Sequence, residues 1–204
     1  MVKNVEVRMV KKVMRSPRRS KTPMSSDYTP ELYATTELES YIITMYQELI
    51  GVLRWAIDIG RVYIEHEFSV LSSYRAAPRD GPLQHILHIF AFLKKNPKLT
   101  LYLNPTPALI DPTPFTGITE EYFRDQYIGA REELPIDAPK ARARAVEVTT
   151  FVNASHASDK NTRLSQTGYI VFVNCAPIIW YIKKQATVDS STFGSEFIAL
   201  KTCV

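Results

Sequence analysis

The 204-residue sequence holds two cysteines, Cys175 and Cys203, with no CxxC pair and no metal-ligand spacing. That excludes a disulfide scaffold and leaves two ordinary buried thiols in a reducing compartment. No apolar run approaches the length of a bilayer span, so no membrane is expected as a partner. The opening residues are charged and lack an apolar segment. No secretory leader is expected there, and an intracellular location, cytoplasmic or nuclear, follows. GxGxxG and Walker-type phosphate loops are missing. So is a GxSxG elbow, which leaves nucleophilic catalysis by serine without support.

What is present suffices for a folded core. Hydrophobic residues make up 45% of the chain, so it is not disordered throughout. The net charge of +4 is unevenly spread. Lys3, Arg8, Lys11, Lys12, Arg15, Arg18, Arg19 and Lys21 crowd the N-terminal end against the single Glu6. Such an arm attracts polyphosphate by counterion release, which makes nucleic acid a natural partner, although a solvated tail has the same composition.

The pattern of apolar residues divides the chain into four stretches. Residues 1–30 are basic, then rich in Ser, Thr and Pro, and read as an irregular arm. Residues 31–103 read as helical. Leu38, Tyr41, Ile42, Met45, Leu49, Val52, Leu53 and Ala56 recur at three and four between Glu37 and Ile59, with Gly60 as the stop. A second helix is predicted from Val62 to Tyr74 on Ile64, Phe68 and Leu71. A third carries Leu83, Ile86, Leu87, Ile89, Phe90 and Leu93 and closes at Asn96-Pro97. Alternation over Leu99–Leu103 predicts a strand. Residues 104–143 hold Pro105, Pro107, Pro112, Pro114, Pro135 and Pro139 and read as a linker. Residues 144–204 read as a strand-rich unit: strands over Ala145–Asn153, Thr167–Asn174 and Pro177–Lys183, then a helix capped near Ser190-Ser191.

One chemistry fits the residues of this last unit. Phosphodiester hydrolysis with two divalent ions needs a cluster of carboxylates, one from a central strand and another from the adjoining helix. Glu196 sits on the predicted helix. The strand position falls at Asn153 or Ser155, and neither carries charge. An asparagine amide offers an oxygen but no negative charge to hold a dication. The commoner role of a lone glutamate such as Glu196 is an exposed helix face. His156, beside the strand end, more often serves as a hydrogen-bonded structural side chain. His85 and His88, three apart on the third helix, have the spacing of a metal pair but lack companions. Tyr169, Phe172, Trp180 and Tyr181 alternate in the strands, where aromatics stack on bases or, more often, fill the core; Phe172 and Trp180 are expected in the core. Lys183-Lys184-Gln185 ends a strand, where it meets either a phosphate backbone or solvent.

The ordered blocks resemble a known family. Tyr46-Gln47-Glu48-Leu49-Ile50-Gly51-Val52-Leu53-Arg54-Trp55 resembles the segment just past the reverse transcriptase palm of copia-type retrotransposon Pol polyproteins. Gly60-Arg61-Val62, Ser72-Ser73, Pro78-Arg79 and His88-Ile89-Phe90-Ala91-Phe92-Leu93-Lys94-Lys95 continue it in order. Arg163, Ser165, Thr167-Gly168, Ala176-Pro177-Ile178, Trp180, Lys183-Lys184-Gln185 and Ser191-Thr192-Phe193-Gly194-Ser195-Glu196-Phe197 resemble the start of the same element's ribonuclease H domain. The likeness runs over residues 22–204.

The resemblance implies an α/β chain, α+β overall. A helical connection or thumb-like region would precede a truncated ribonuclease H-like mixed sheet of three strands and one helix. The family's first strand reads Asp-Ala-Asp-His-Ala; here it is Asn153-Ala154-Ser155-His156-Ala157, so the position of a metal-binding aspartate is Asn153. The helix glutamate survives as Glu196. Two later aspartates would lie beyond Val204, and no two aspartates are adjacent anywhere, as the polymerase site requires. Tyr63 and Ile182 also stand where the family usually has Asp or Ser. The implied reading is a degenerate Pol segment that does not cut. Its metal site is reduced to Glu196, and the family's Mg²⁺ or Mn²⁺ is not stably held. Its partners are an RNA–DNA hybrid, weakly bound through Arg163, Lys183, Lys184 and Gln185, and the remainder of the polyprotein. Two alternatives stand beside it: a working ribonuclease H-type nuclease recruiting Asp159 or Asp189, and a non-catalytic nucleic-acid-binding or scaffold protein. The exposed strand edge implied for the truncated sheet predicts low solubility or dependence on a partner.

Overall fold

A computed structural model describes residues 21–24, 28, 34–107, 135–139 and 146–204. The basic arm before Lys21 and most of the proline-rich stretch lie outside the described residues. Helix α1 spans Ser40–Asp58, a 3₁₀ turn covers Val62–Ile64, α2 spans Glu65–Ser72 and α3 spans Asp80–Lys95. Strands β1 (Val148–Ser155), β2 (Gln166–Val173) and β3 (Ala176–Lys184) precede α4 (Thr192–Cys203).

Helix α1 forms where the spacing predicts it, but its buried stripe is Tyr46, Ile50, Leu53 and Ile57, at intervals of four and three, and only Leu53 of the predicted stripe belongs to it; Tyr41 and Val52 are exposed, and Leu38, Ile42, Met45, Leu49 and Ala56 are half-buried beside it. They meet Ile64, Leu71, Leu83, Ile86, Leu87 and Ile89 in one core. The Tyr46 hydroxyl donates to the Leu71 carbonyl at 2.7 Å, so the one polar atom this ring buries is satisfied. Gly60 ends α1 with φ at +107°. There the Arg61 amide reaches the Ala56 carbonyl at 3.0 Å and the Gly60 amide reaches Ile57 at 2.9 Å, the bond pattern of a Schellman stop. The second predicted helix begins as the 3₁₀ turn and becomes α-helical only at Glu65.

The predicted strand over Leu99–Leu103 does not form. Those residues are irregular, and the nearest pairing is an isolated bridge between Asn104 and Cys175. The backbone acceptors here go elsewhere: the Arg61 guanidinium donates to the Pro97 carbonyl at 2.9 Å and also to that of Leu99. Immediately after, the Asn174 amide group donates to the Pro105 carbonyl at 2.9 Å, which ties the start of the proline-rich stretch to the β2–β3 hairpin.

The sheet has the order β1-β2-β3 with both pairings antiparallel, so the expected mixed sheet is corrected to an antiparallel one among the described strands. The connections explain this, because parallel neighbours need a long crossover whereas the 156–165 and 174–175 links are hairpins. Alternation assigns the faces. Phe151, Asn153, Gly168, Ile170, Trp180 and Ile182 lie opposite one another on one face. Trp180 on that face packs against the helical core, and the Gln166 side chain donates to Ser69 on α2 at 3.0 Å. Ala154 and Thr167 share the other face, which α4 covers with Ser195 and Ala199 buried. The result is three layers: helices α1–α3, the sheet, and α4. Cys175 and Cys203 are half-exposed rather than buried.

Candidate functional site

The end of β1, the turn that follows it and the start of α4 bring most of the candidate residues together. Ser191 caps α4 by accepting from the Gly194 amide at 3.0 Å, and its own amide donates to the Asp189 carboxylate at 3.0 Å. This fixes the first turn of α4 against the sheet. Glu196, one turn along, is half-buried rather than on an exposed face. Its Oε2 accepts from the Ala154 amide at 3.2 Å. Because β1 is an outer strand, that amide points away from β2, and the carboxylate satisfies it.

Asn153 precedes Ala154, and strand alternation turns its exposed side chain toward the helical layer, away from α4. The structure therefore places Asn153 next to Ala154, whose edge amide holds Glu196, with the Asn153 side chain turned to the face that α4 does not cover. Ser155 shares the Asn153 side of the strand and is exposed. Among the described residues, no three His, Cys, Asp or Glu side chains form a group able to hold a metal ion.

His156 lies against Ser195, with Nδ1 to Oγ at 3.0 Å. The pair has the composition of a nucleophilic dyad but not its access. Ser195 is fully buried, and its hydroxyl also lies 3.1 Å from the Ser191 carbonyl and 3.0 Å from that of Thr192. It anchors the β1 turn to α4. Ser165 does similar work from within the turn, accepting from the Ala157 amide at 3.0 Å.

Asp159 organises the turn. Its Oδ1 accepts from the Asn161 and Thr162 amides at 2.9 and 3.3 Å, and its Oδ2 takes the Lys184 ammonium. Partial burial alone would push this carboxyl up. The Lys184 ammonium, the Thr162 hydroxyl and the two amides outweigh it and hold the carboxyl down at about 2. An aspartate whose amide partners lie two and three residues on is a turn signature, so this role was readable from Asp159-Lys160-Asn161.

The four proposed nucleic-acid contacts divide. Arg163 and Lys183 are exposed, Arg163 in the left-handed region with φ at +60°. Lys184 is joined to Asp159. Gln185 is buried, donating to Thr167 Oγ1 at 3.0 Å and to the Ser195 carbonyl at 2.9 Å. It stitches β2 to α4. His85 and His88 face the segment before α1: the His85 ring lies 3.9 Å from the Tyr28 ring and His88 Nε2 lies 3.2 Å from the Thr22 carbonyl. Sequence reading passed over Glu65, which is buried beneath the sheet. An isolated glutamate at the start of a short helix gives no signal of burial.

The chain is 23% identical over 176 residues, 86% of its length, to a retrovirus-related Pol polyprotein from transposon RE1 of Arabidopsis thaliana. It spans 9% of that protein's length. The similarity supports a distant relationship to a retrotransposon Pol region. No family model matches the chain, and no solved structure does. Among the described residues, no helix is long and apolar enough to cross a membrane.

Proposed function

We propose that the chain is a degenerate segment of a copia-type Pol polyprotein, running from the end of the reverse transcriptase into the opening of the ribonuclease H domain. In this reading it does not cut, and it keeps weak affinity for an RNA–DNA hybrid. The observation that carries the proposal is the donor set at the end of β1. A neutral carboxamide at Asn153 stands where hydrolysis needs a carboxylate; Glu196 is engaged by the Ala154 amide, Asp159 by the Lys184 ammonium and its own turn, and Asp189 by the Ser191 amide. Two dications beside a phosphate demand more anionic oxygen than this. The residues do not fit a pair of Mg²⁺ or Mn²⁺ ions, and no hydrolytic step is assigned to them.

The exposed cations Arg163 and Lys183, with the basic arm, support hybrid binding through phosphates. A fluorescent RNA–DNA hybrid tests both parts. Purified chain with Mg²⁺ or Mn²⁺ should leave the hybrid intact, and its binding should weaken steeply with salt. Metal-dependent cleavage that co-purifies with the chain would refute the inactive reading. Binding indifferent to salt would refute the phosphate-contact reading.

A further inference from the structure

Between the helical layer and the sheet lies an open-mouthed cavity of about 340 Å³, with Phe151 exposed at its rim, that the proposed function does not use. Its lining includes Val62, Phe151, Gly168, Ile170, Trp180 and, from α2, Glu65. The walls are mainly apolar and aromatic, and Gly168 contributes no side chain. Glu65 is the exception in chemistry. It is 3% exposed, its Oε1 faces Arg54 at 3.6 Å and the Ile182 backbone amide lies against its carboxylate, yet among the described residues its Oε2 has no hydrogen-bond partner. Buried carboxylate oxygens are ordinarily satisfied, so an unfilled one beside a cavity leaves a place for a donor that the described residues do not supply. Arg54 does not supply the missing bond: its Nη1 faces Oε1 at 3.6 Å, beyond hydrogen-bond reach, while its Nη2 is joined to Asp58 at 3.0 Å. With Glu65 ionised, the three charges sum to one negative. Burial favours the neutral form of Glu65 while Arg54 and the Ile182 backbone amide oppose it, so a donor arriving at Oε2 would reinforce those two.

We propose that this cavity binds a flat aromatic ring carrying N–H donors, the chemistry shared by aryl amidines and aminated nucleobases, with the ring against Trp180 and Phe151 and an N–H on Glu65. Aromatic walls favour a planar guest by stacking, and the buried carboxyl selects for N–H groups over other substituents. Asn153, exposed at the cavity wall, offers a further polar group for such a ring.

The chain has two tryptophans, Trp55 and Trp180, and Trp55 is 64% exposed on α1. Trp55→Phe therefore leaves Trp180 as the reporter. In that background, benzamidine and guanosine are titrated against Trp180 fluorescence, with toluene and benzoate as matched rings lacking the donors. Saturable binding of benzamidine, guanosine or both, with toluene and benzoate much weaker, supports the site and tells which source of the chemistry it prefers. Glu65→Gln should weaken that binding about tenfold, as expected for loss of a charge-assisted bond. If Glu65→Gln fails to fold, Gly168→Ala keeps the test open: its methyl meets Ile182 at an ordinary 3.6 Å, so the strand tolerates it while the cavity shrinks. Affinity should then fall several-fold. Binding of toluene equal to that of benzamidine, affinity unchanged in the folded variants, or no saturation by either donor-bearing probe at millimolar concentration would each overturn the proposal.

Discussion

Asp159→Asn should loosen the turn between β1 and β2 and remove most of the acid sensitivity of that region. In the folded chain the carboxyl is held at about 2, against 3.8 for an unperturbed aspartate. Each unit of pKa corresponds to about 1.4 kcal/mol, so the ionised carboxylate contributes about 2 kcal/mol at neutral pH. Both partners are largely shielded, with Asp159 and Lys184 side chains 11% and 28% exposed, so solvent screening removes little of it. Because the folded value is depressed, the contribution is fully present above about pH 4 and is lost as pH falls through about 2. Asparagine retains an oxygen for the Asn161 and Thr162 amides but cannot pair with the Lys184 ammonium. Only part of that contribution is therefore lost, about 1 kcal/mol, which for a chain of this size corresponds to a fall in Tm of roughly 2 to 4 °C. Circular-dichroism melts at pH 7, repeated between pH 5 and pH 2, read both effects. The variant should melt lower at pH 7 and lose less than the parent between pH 4 and pH 2. Equal Tm values at pH 7, or parallel acid curves, would show that the Lys184 contact does not hold in solution.

Three further outcomes follow from the same geometry. Tyr46→Phe removes the buried bond to the Leu71 carbonyl and should cost about 1 kcal/mol in chemical denaturation, since that carbonyl also accepts from the Tyr74 amide at 3.1 Å and keeps one partner. An unchanged midpoint would contradict the bond. Ser191→Ala removes the cap on α4 and should cost about 1 kcal/mol, with Ser191→Asp retaining most of it; equal losses in both variants would argue against capping. Asn153→Asp with Ser155→Asp restores charge on β1, but on the face away from α4, so isothermal titration with Mg²⁺ should detect no tight site and the hybrid should stay whole. Cleavage by that double variant would mean that the site has been misplaced.

The helices were legible because their apolar stripes repeat at three and four, a signal that survives whatever the tertiary partner. All three strands were legible from aromatic and β-branched runs. Leu99–Leu103 has the same alternation and failed, because a strand exists only where another strand accepts its bonds, and Arg61 has taken two of the local carbonyls. Glu196 was readable as a candidate from its place on α4, yet its bond to Ala154 depends on β1 being an outer strand, which no local pattern encodes. Gln185 reads as a solvent-facing strand end beside two lysines; burial by α4 gives it its true surroundings. Glu65 was invisible for the same reason, its cover being supplied by a sheet that starts far along the chain, at Val148.

The carboxylate of Glu196 also limits how the sheet could grow. With Ala154 directed outward, alternation makes the amides of Thr150 and Val152 the next positions along the rim of β1 left without a strand partner among the described residues. A visiting strand could zip onto those, but at Ala154 it would meet an acceptor already seated and would have to evict a negative charge to continue. Extension from this side is thus halted at a defined rung, and aggregates built through it would share a short, fixed overlap instead of sliding freely.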